Sequence, residues 1–171
     1  MAILEIVKYP DPVLRQECAP IGDNLEGIAE LVQNMSETMY SLDGAGLAAI
    51  QVGVAKRLFI VEAVVAGREP TDPPMVFIDP EITWLSDELE DSEEGCLSFP
   101  GIYVPIERSL RCRAKARDLE GKEFEVEGEG LFARAIQHET DHLNGKLLAD
   151  YVGRIKRRMI ERRLRREAEA G

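Results

Sequence analysis

Histidine is scarce in this chain, with only two in 171 residues. Cysteine is scarce too: Cys18, Cys96 and Cys112 stand far apart. An odd count at wide spacing makes no disulfide framework and suggests a reducing compartment. No apolar run approaches the roughly 18 residues of a membrane-spanning helix. The opening "MAILEIVKYPDPVL" lacks the basic region, apolar stretch and cleavage site of a signal peptide, so a cytoplasmic setting is expected. Positive charge is in short supply, with 21 Lys and Arg against 32 Asp and Glu and a net charge of −11. That balance argues against DNA binding through the body of the protein.

What remains is ordinary for a folded chain. The composition is 44% hydrophobic and 31% charged, which excludes disorder. The length predicts a single domain over 1–171 that builds its core without staples. Residues 3–8 read as a short strand, broken by Pro10 and Pro12. Asn24 can cap a helix with Leu25, Ile28, Leu31, Val32, Met35 and Met39 on one stripe, ending near "LDGAG". "KRLFIVEAVV" looks like a buried strand, and "PMVFIDPEITWLS" like a pair of strands or one bent strand. "LRCRAKARD" and "EGKEFEVEGEG" alternate around "DLEG", predicting an antiparallel hairpin with one wet face. Residues 128–144 carry a helical pattern that stops at Asn144–Gly145. A last, basic helix over 150–171 keeps Val152, Ile155, Met159 and Leu164 on a narrow apolar seam. Strands followed by helices suggest an α+β fold.

Both histidines fall in "QHETDHLNG", residues 137–145. On a helix, His138 and His142 share a face and can meet one metal ion, with Glu139 beside it as a general base. The competing reading, accidental spacing, is disfavoured by the glutamate and by the helical pattern. A catalytic metal site needs a third protein ligand and an open position. With no third histidine, it must be a cysteine or a carboxylate. Cys96 in "EEGCLSFPG" is the best candidate, since a thiolate suits a borderline-soft ion. Its bland alternative is a buried structural thiol, the reading that better fits Cys18 and Cys112. The ligand set alone favours zinc.

"DGAGLAAIQVG", 43–53, formally satisfies the dinucleotide pattern G-x-G-x-x-A. The context is wrong, because the motif should follow a strand and open a helix. A turn, or a backbone that closely approaches a ligand, remains. Gln51 is either a surface amide or a donor aimed at a developing oxyanion, and spacing does not decide between them.

Together, "GAGLAAIQ" at 44–51, "EGCLS" at 94–98 and "QHETDHLNG" at 137–145 resemble the peptide deformylases, in that family's order. "PDPVLR" near the start extends the resemblance over nearly the whole chain. It implies antiparallel β-sheets packed around a central helix carrying the H-E-x-x-H motif, with a C-terminal helix. It implies removal of the N-terminal formyl group from new polypeptides, with release of formate. Carried over by motif, Cys96, His138 and His142 bind the metal and Glu139 is the general acid and base. Gln51 and the backbone N–H of Leu97 hold the oxyanion, and Gly46 lies beside the substrate chain. The implied ion is commonly Fe2+, with Zn2+, Ni2+ or Co2+ as alternatives. A methionine-sized pocket is needed, and Leu131 and Ala135 are expected to line it. Arg134, in the same turn, is expected to point outward or to lend its stem to the rim. Tyr103 stands where several relatives carry an arginine near the substrate chain. Arg108 then either takes over a substrate-backbone role or is a surface charge.

The stretch 154–166 holds eight basic residues and one acidic residue. It is either a solvated helix face or, as some deformylases resemble it in having, a helix that docks on the ribosome. Two rival functions share the H-E-x-x-H signal. A metallopeptidase would leave "EGCLS" without a role. A metal-stabilised binding module would close its site with four protein ligands and leave Glu139 dispensable.

Overall fold

The computed structural model describes residues 2–170. Its elements are α1 (Ile28–Ser41), β1 (Gly46–Ala48), β2 (Leu58–Val61), β3 (Met75–Leu85), β4 (Leu89–Glu94), β5 (Val104–Ser109), β6 (Arg111–Arg117), β7 (Glu123–Glu129), α2 (Leu131–Leu143) and α3 (Arg154–Ala170). The strands form a five-stranded sheet in the order β1-β2-β3-β6-β7 and a two-stranded sheet β4-β5, antiparallel throughout. α2 packs against strands of both sheets, so the expected α+β arrangement around one central helix is what the chain forms.

Burial explains why α2 sits there. From Ala133 to Glu139 every residue is buried, polar ones included. A helix buried nearly all round must satisfy its polar groups internally. Gln137 does so by donating to Ser109 O at 2.9 Å and accepting from Ser109 N at 3.1 Å, which ties α2 to β5. The helix ends as its sequence dictates. Gly145 has φ +74, and a Cβ there would lie 2.6 Å from Arg15 O, so only glycine fits. Beneath α2, Phe59 and Phe77 stack at 4.6 Å and are fully buried. Truncating either to alanine should cost about 3–5 kcal/mol.

Several expectations need correction. Residues 3–8 form no strand, and Val7 N–H donates instead to Gln51 O at 2.7 Å. α1 starts at Ile28 after Gly27, not at Asn24, whose carboxamide oxygen accepts from Glu26 N. Of the two readings of 75–85, the single bent strand is the one that forms, with register shifts after Ile78 and Ile82. α2 begins at Leu131 rather than 128, because Gly128 belongs to β7. The seam of α3 is Ile160 and Leu164; Ile155 and Met159 are 79% and 64% exposed. The residues that read as an apolar stripe drift off the packed face because only one side of the helix has a partner.

Asp79 pins the irregular strand to the N-terminal loop. It has φ 50, and its carboxylate accepts from Ile21 N at 2.7 Å, Gly22 N at 2.9 Å and Arg117 Nη2 at 2.8 Å. Partial burial opposes its ionisation, but these donors outweigh it and hold its pKa below the usual carboxylate value. A depressed folded pKa stabilises the fold above the unfolded-chain value, and that contribution is lost as pH falls through the folded value. Asp79→Asn, which tolerates positive φ, should therefore cost about 1–2 kcal/mol at neutral pH in urea unfolding. The gap between the two proteins should close as the pH drops below the ordinary aspartate range. A gap that stays constant with pH would show that the charge is not what matters.

Candidate metal centre

Three segments distant in sequence supply the site. The loop after β4 brings Cys96, α2 brings His138 and His142, and the turn after β1 brings Gln51. The donor atoms of Cys96, His138 and His142 all lie within 4.8 Å of one another. Cys96 Sγ is 3.4 Å from His142 Nε2. The spacing of four residues on a helix sets the two imidazoles edge to face, with ring centroids 5.0 Å apart.

The donor set fits a divalent ion. One thiol and two imidazoles suit iron, zinc, cobalt or nickel, and three protein ligands leave room for water. The local charge agrees. Burial resists protonation of His138, but Cys96 and Glu94 outweigh it and raise the ring's pKa well above that of an ordinary imidazole. A divalent cation is the other positive charge that these groups would stabilise. His142 is buried beside His138 and has its pKa pushed down, so its ring is neutral, the form that ligates.

Glu94 organises the cluster. It accepts from His138 Nδ1 at 2.8 Å, which leaves Nε2 as the free donor atom. Arg108 grips the same carboxylate twice, at 2.7 and 2.9 Å, and Arg134 adds a third contact at 2.7 Å. Burial opposes the charge, yet Arg108 and His138 hold Glu94 down at a pKa of about 2. Arg134 also donates to Glu90 O and Ile106 O, joining β4 and β5 to α2. Arg108 is buried and continues to Asp141 at 2.7 Å and Tyr151 at 3.0 Å. Arg108 is no surface charge, and it does not line the cavity described below. Arg134 does not point outward either; its guanidinium is spent on Glu94 and backbone carbonyls.

Glu139 faces the cluster from α2. It is 4% exposed, and its Oε1 is buried with no hydrogen-bond partner among the described residues. Burial raises its pKa to about 7, partly opposed by His138. Gly46 makes room for it: a Cβ at 46 would lie 2.7 Å from Glu139 Oε2. Gln51 is buried, not a surface amide. Its Oε1 accepts from Ala48 N at 3.0 Å, which turns Nε2 toward Ser98 Oγ at 3.1 Å and Cys96 Sγ at 3.4 Å.

Gly46, Gln51, Cys96, Leu97, Leu131, Ala135, His138 and Glu139 line one cavity of about 680 Å3, with Arg134 in its wall. His142 lies buried beside Cys96. Leu131 is 60% exposed and belongs to the mouth, whereas Ala135 is buried. A larger groove of about 1090 Å3, between α1 and the β6–β7 hairpin, has neither histidine nor cysteine in its walls. Sequence reasoning gave no role to Glu94, Ser98 or Gln137, although each sits inside a segment it singled out. Their function is contact across the fold, which has no local spacing signature.

Known proteins agree with this geometry. The family model for polypeptide deformylase matches residues 3–158. Peptide deformylase 1 of Pseudomonas syringae pv. tomato is 47% identical over 167 residues, 98% of this chain and 97% of that protein. The peptide deformylase of Cellvibrio japonicus is 45% identical, covering 100% of this chain and 99% of its own. Among solved structures, peptide deformylase from Ehrlichia chaffeensis superposes with a TM-score of 0.90 at 32% identity, covering 98% of both chains. That from Legionella pneumophila gives 0.89 at 39% identity, over 98% of this chain and 96% of its own. With likeness of this extent in sequence and backbone alike, the chain belongs to the peptide deformylase family of metal-dependent hydrolases.

Proposed function

We propose that this chain removes the formyl group from the N-terminal formyl-methionine of newly made polypeptides and releases formate. The observation that carries this reading is the convergence of Cys96, His138 and His142 beside Glu139, a buried carboxyl with an unpartnered oxygen. Cys96, His138 and His142 would hold one divalent ion, and the family resemblance favours Fe2+ over Zn2+, Ni2+ or Co2+. When bound, the ion supplies a Lewis acid and makes the hydrolytic water acidic enough to react near neutral pH.

The protein's own groups do the rest. Glu139 takes a proton from the attacking water and gives it to the leaving amine, and a carboxyl raised to about 7 is suited to both directions. Gln51 Nε2, held in place through Ala48 N, donates to the oxyanion that develops on the formyl oxygen, together with the N–H of Leu97. Ala135 walls the pocket for the methionine side chain, with Leu131 at its mouth. β1 ends the five-stranded sheet, so Gly46 lies on an open edge that an extended peptide can join. A metallopeptidase reading leaves Cys96 and Gln51 without work.

The bacterial relatives and three unbridged cysteines support a cytoplasmic setting. No helix among the described residues is long and apolar enough to cross a membrane. We also propose that α3 meets the ribosome, where the substrates emerge. Arg163 and Arg165 are engaged with Glu167 and Glu161, but Arg154, Arg158 and Arg162 stay exposed on a chain whose net charge is −11. Phosphate attraction is local and salt-sensitive.

Two outcomes are expected. Formate release from a formyl-Met tripeptide should fall about 100- to 10,000-fold in Glu139→Ala with metal content unchanged. An active, fully metallated variant would remove Glu139 from the proton path. Changing Arg154, Arg158 and Arg162 together to glutamate should abolish co-sedimentation with ribosomes at low salt while tripeptide turnover stays intact. Equal pelleting of both proteins would defeat the docking role.

A further inference from the structure

Arg108 holds Glu94 with two of its three guanidinium nitrogens, Nε and Nη2. The third, Nη1, donates to Asp141 Oδ2 at 2.7 Å and to the Tyr151 hydroxyl oxygen at 3.0 Å. The Tyr151 hydroxyl in turn donates to the same Asp141 oxygen at 2.5 Å. A guanidinium is a rigid planar fork. Whatever fixes Nη1 therefore also sets the plane in which Nε and Nη2 meet the carboxylate.

The fold places Tyr151 firmly. It ends the 3-10 turn Leu148–Tyr151, a few residues beyond α2. Asp150 in that turn accepts from Leu147 N at 2.9 Å and from Arg15 Nη1 at 2.6 Å. Arg157 Nε of α3 donates to Ala149 O at 3.1 Å. Two cations lie over the Tyr151 ring, with Arg108 Cζ 4.9 Å and Lys146 Nζ 4.4 Å from its centroid. Partial burial and Asp141 both raise the pKa of the phenol, so the hydroxyl keeps its proton at neutral pH and donates it to the carboxylate.

We propose that Tyr151 is a positioning residue for the metal centre: with Asp141 its hydroxyl holds Arg108 from behind, Arg108 holds Glu94, and Glu94 sets His138 as a ligand. The inference rests on the ligand set of Cys96, His138 and His142. Tyr151 does not line the cavity, so it acts on the ion only through this chain of contacts.

The test is the Co2+ affinity of the full-length protein by chelator competition, with circular dichroism confirming the fold of each variant. Tyr151→Phe keeps the ring beside both cations and removes the hydroxyl. It should bind Co2+ about 3- to 10-fold more weakly, a milder loss than follows when a group touching a ligand is removed. Asp141→Asn, which weakens the same link from α2, should show a loss of similar size. The decisive arm is a double-mutant cycle with Glu94→Gln. If the hydroxyl acts through Glu94, Tyr151→Phe should weaken Co2+ binding little further once Glu94 has been changed. A loss that adds in full to that of Glu94→Gln would overturn the proposal. So would a folded Tyr151→Phe with a lowered unfolding temperature and parental Co2+ affinity, the mark of a merely structural hydroxyl. A parent that takes up no Co2+ would overturn the ligand assignment and the role of Tyr151 with it. Formate release plays no part in the measurement, so a failure of the deformylase reading would show separately.

Discussion

The site depends on one buried carboxylate. Glu94 ends β4, and its two oxygens take four contacts: two from Arg108, one from Arg134 and one from His138. Three charged groups buried this deeply are costly to desolvate and are kept only when every partner is present. Removing a single partner of such a cluster typically costs about 3–5 kcal/mol. The return is geometric. The carboxylate fixes which nitrogen of His138 faces the cavity, and the two arginines fix the carboxylate. Through Arg134 the same cluster fastens the small β4-β5 sheet to α2, so the segment carrying Cys96 cannot drift from the helix carrying the histidines.

Glycine supplies the complementary constraint. Where Glu94 holds groups in place, Gly46 makes space, letting β1 approach Glu139 more closely than any other residue would permit. The result is a buried carboxyl short of partners, at the one place where a proton must move. Burial raises its pKa to about 7. A closed structural metal site would have no use for such a group, which sets the arrangement apart from a metal-stabilised binding module.

Much of this could be read from the residues. His138 and His142 were legible because helical periodicity converts a spacing of four into a shared face. The β6–β7 hairpin was legible because alternation is local, and the helix stop at Gly145 because positive φ has a chemical signature. Arg108 and Arg134 were misread for the opposite reason. An arginine in a strand or a helix looks like a surface charge, and only the fold brings Glu94 to meet it. Glu94 itself sits two residues before Cys96 and was passed over, since a carboxylate that supports a ligand has no spacing of its own. The seam of α3 failed similarly. Ile155 and Met159 satisfy an apolar pattern, but the body offers a partner only to Ile160 and Leu164.

The ordering of the metal site by Glu94 acts through His138. Its most direct test is the affinity for Co2+, measured by chelator competition in the parent and in Glu94→Gln, with circular dichroism confirming that both are folded. A folded variant should bind Co2+ about 10- to 100-fold more weakly. Unchanged affinity in the folded variant would show that Cys96, His138 and His142 hold their positions without the buried carboxylate, and would contradict its ordering role.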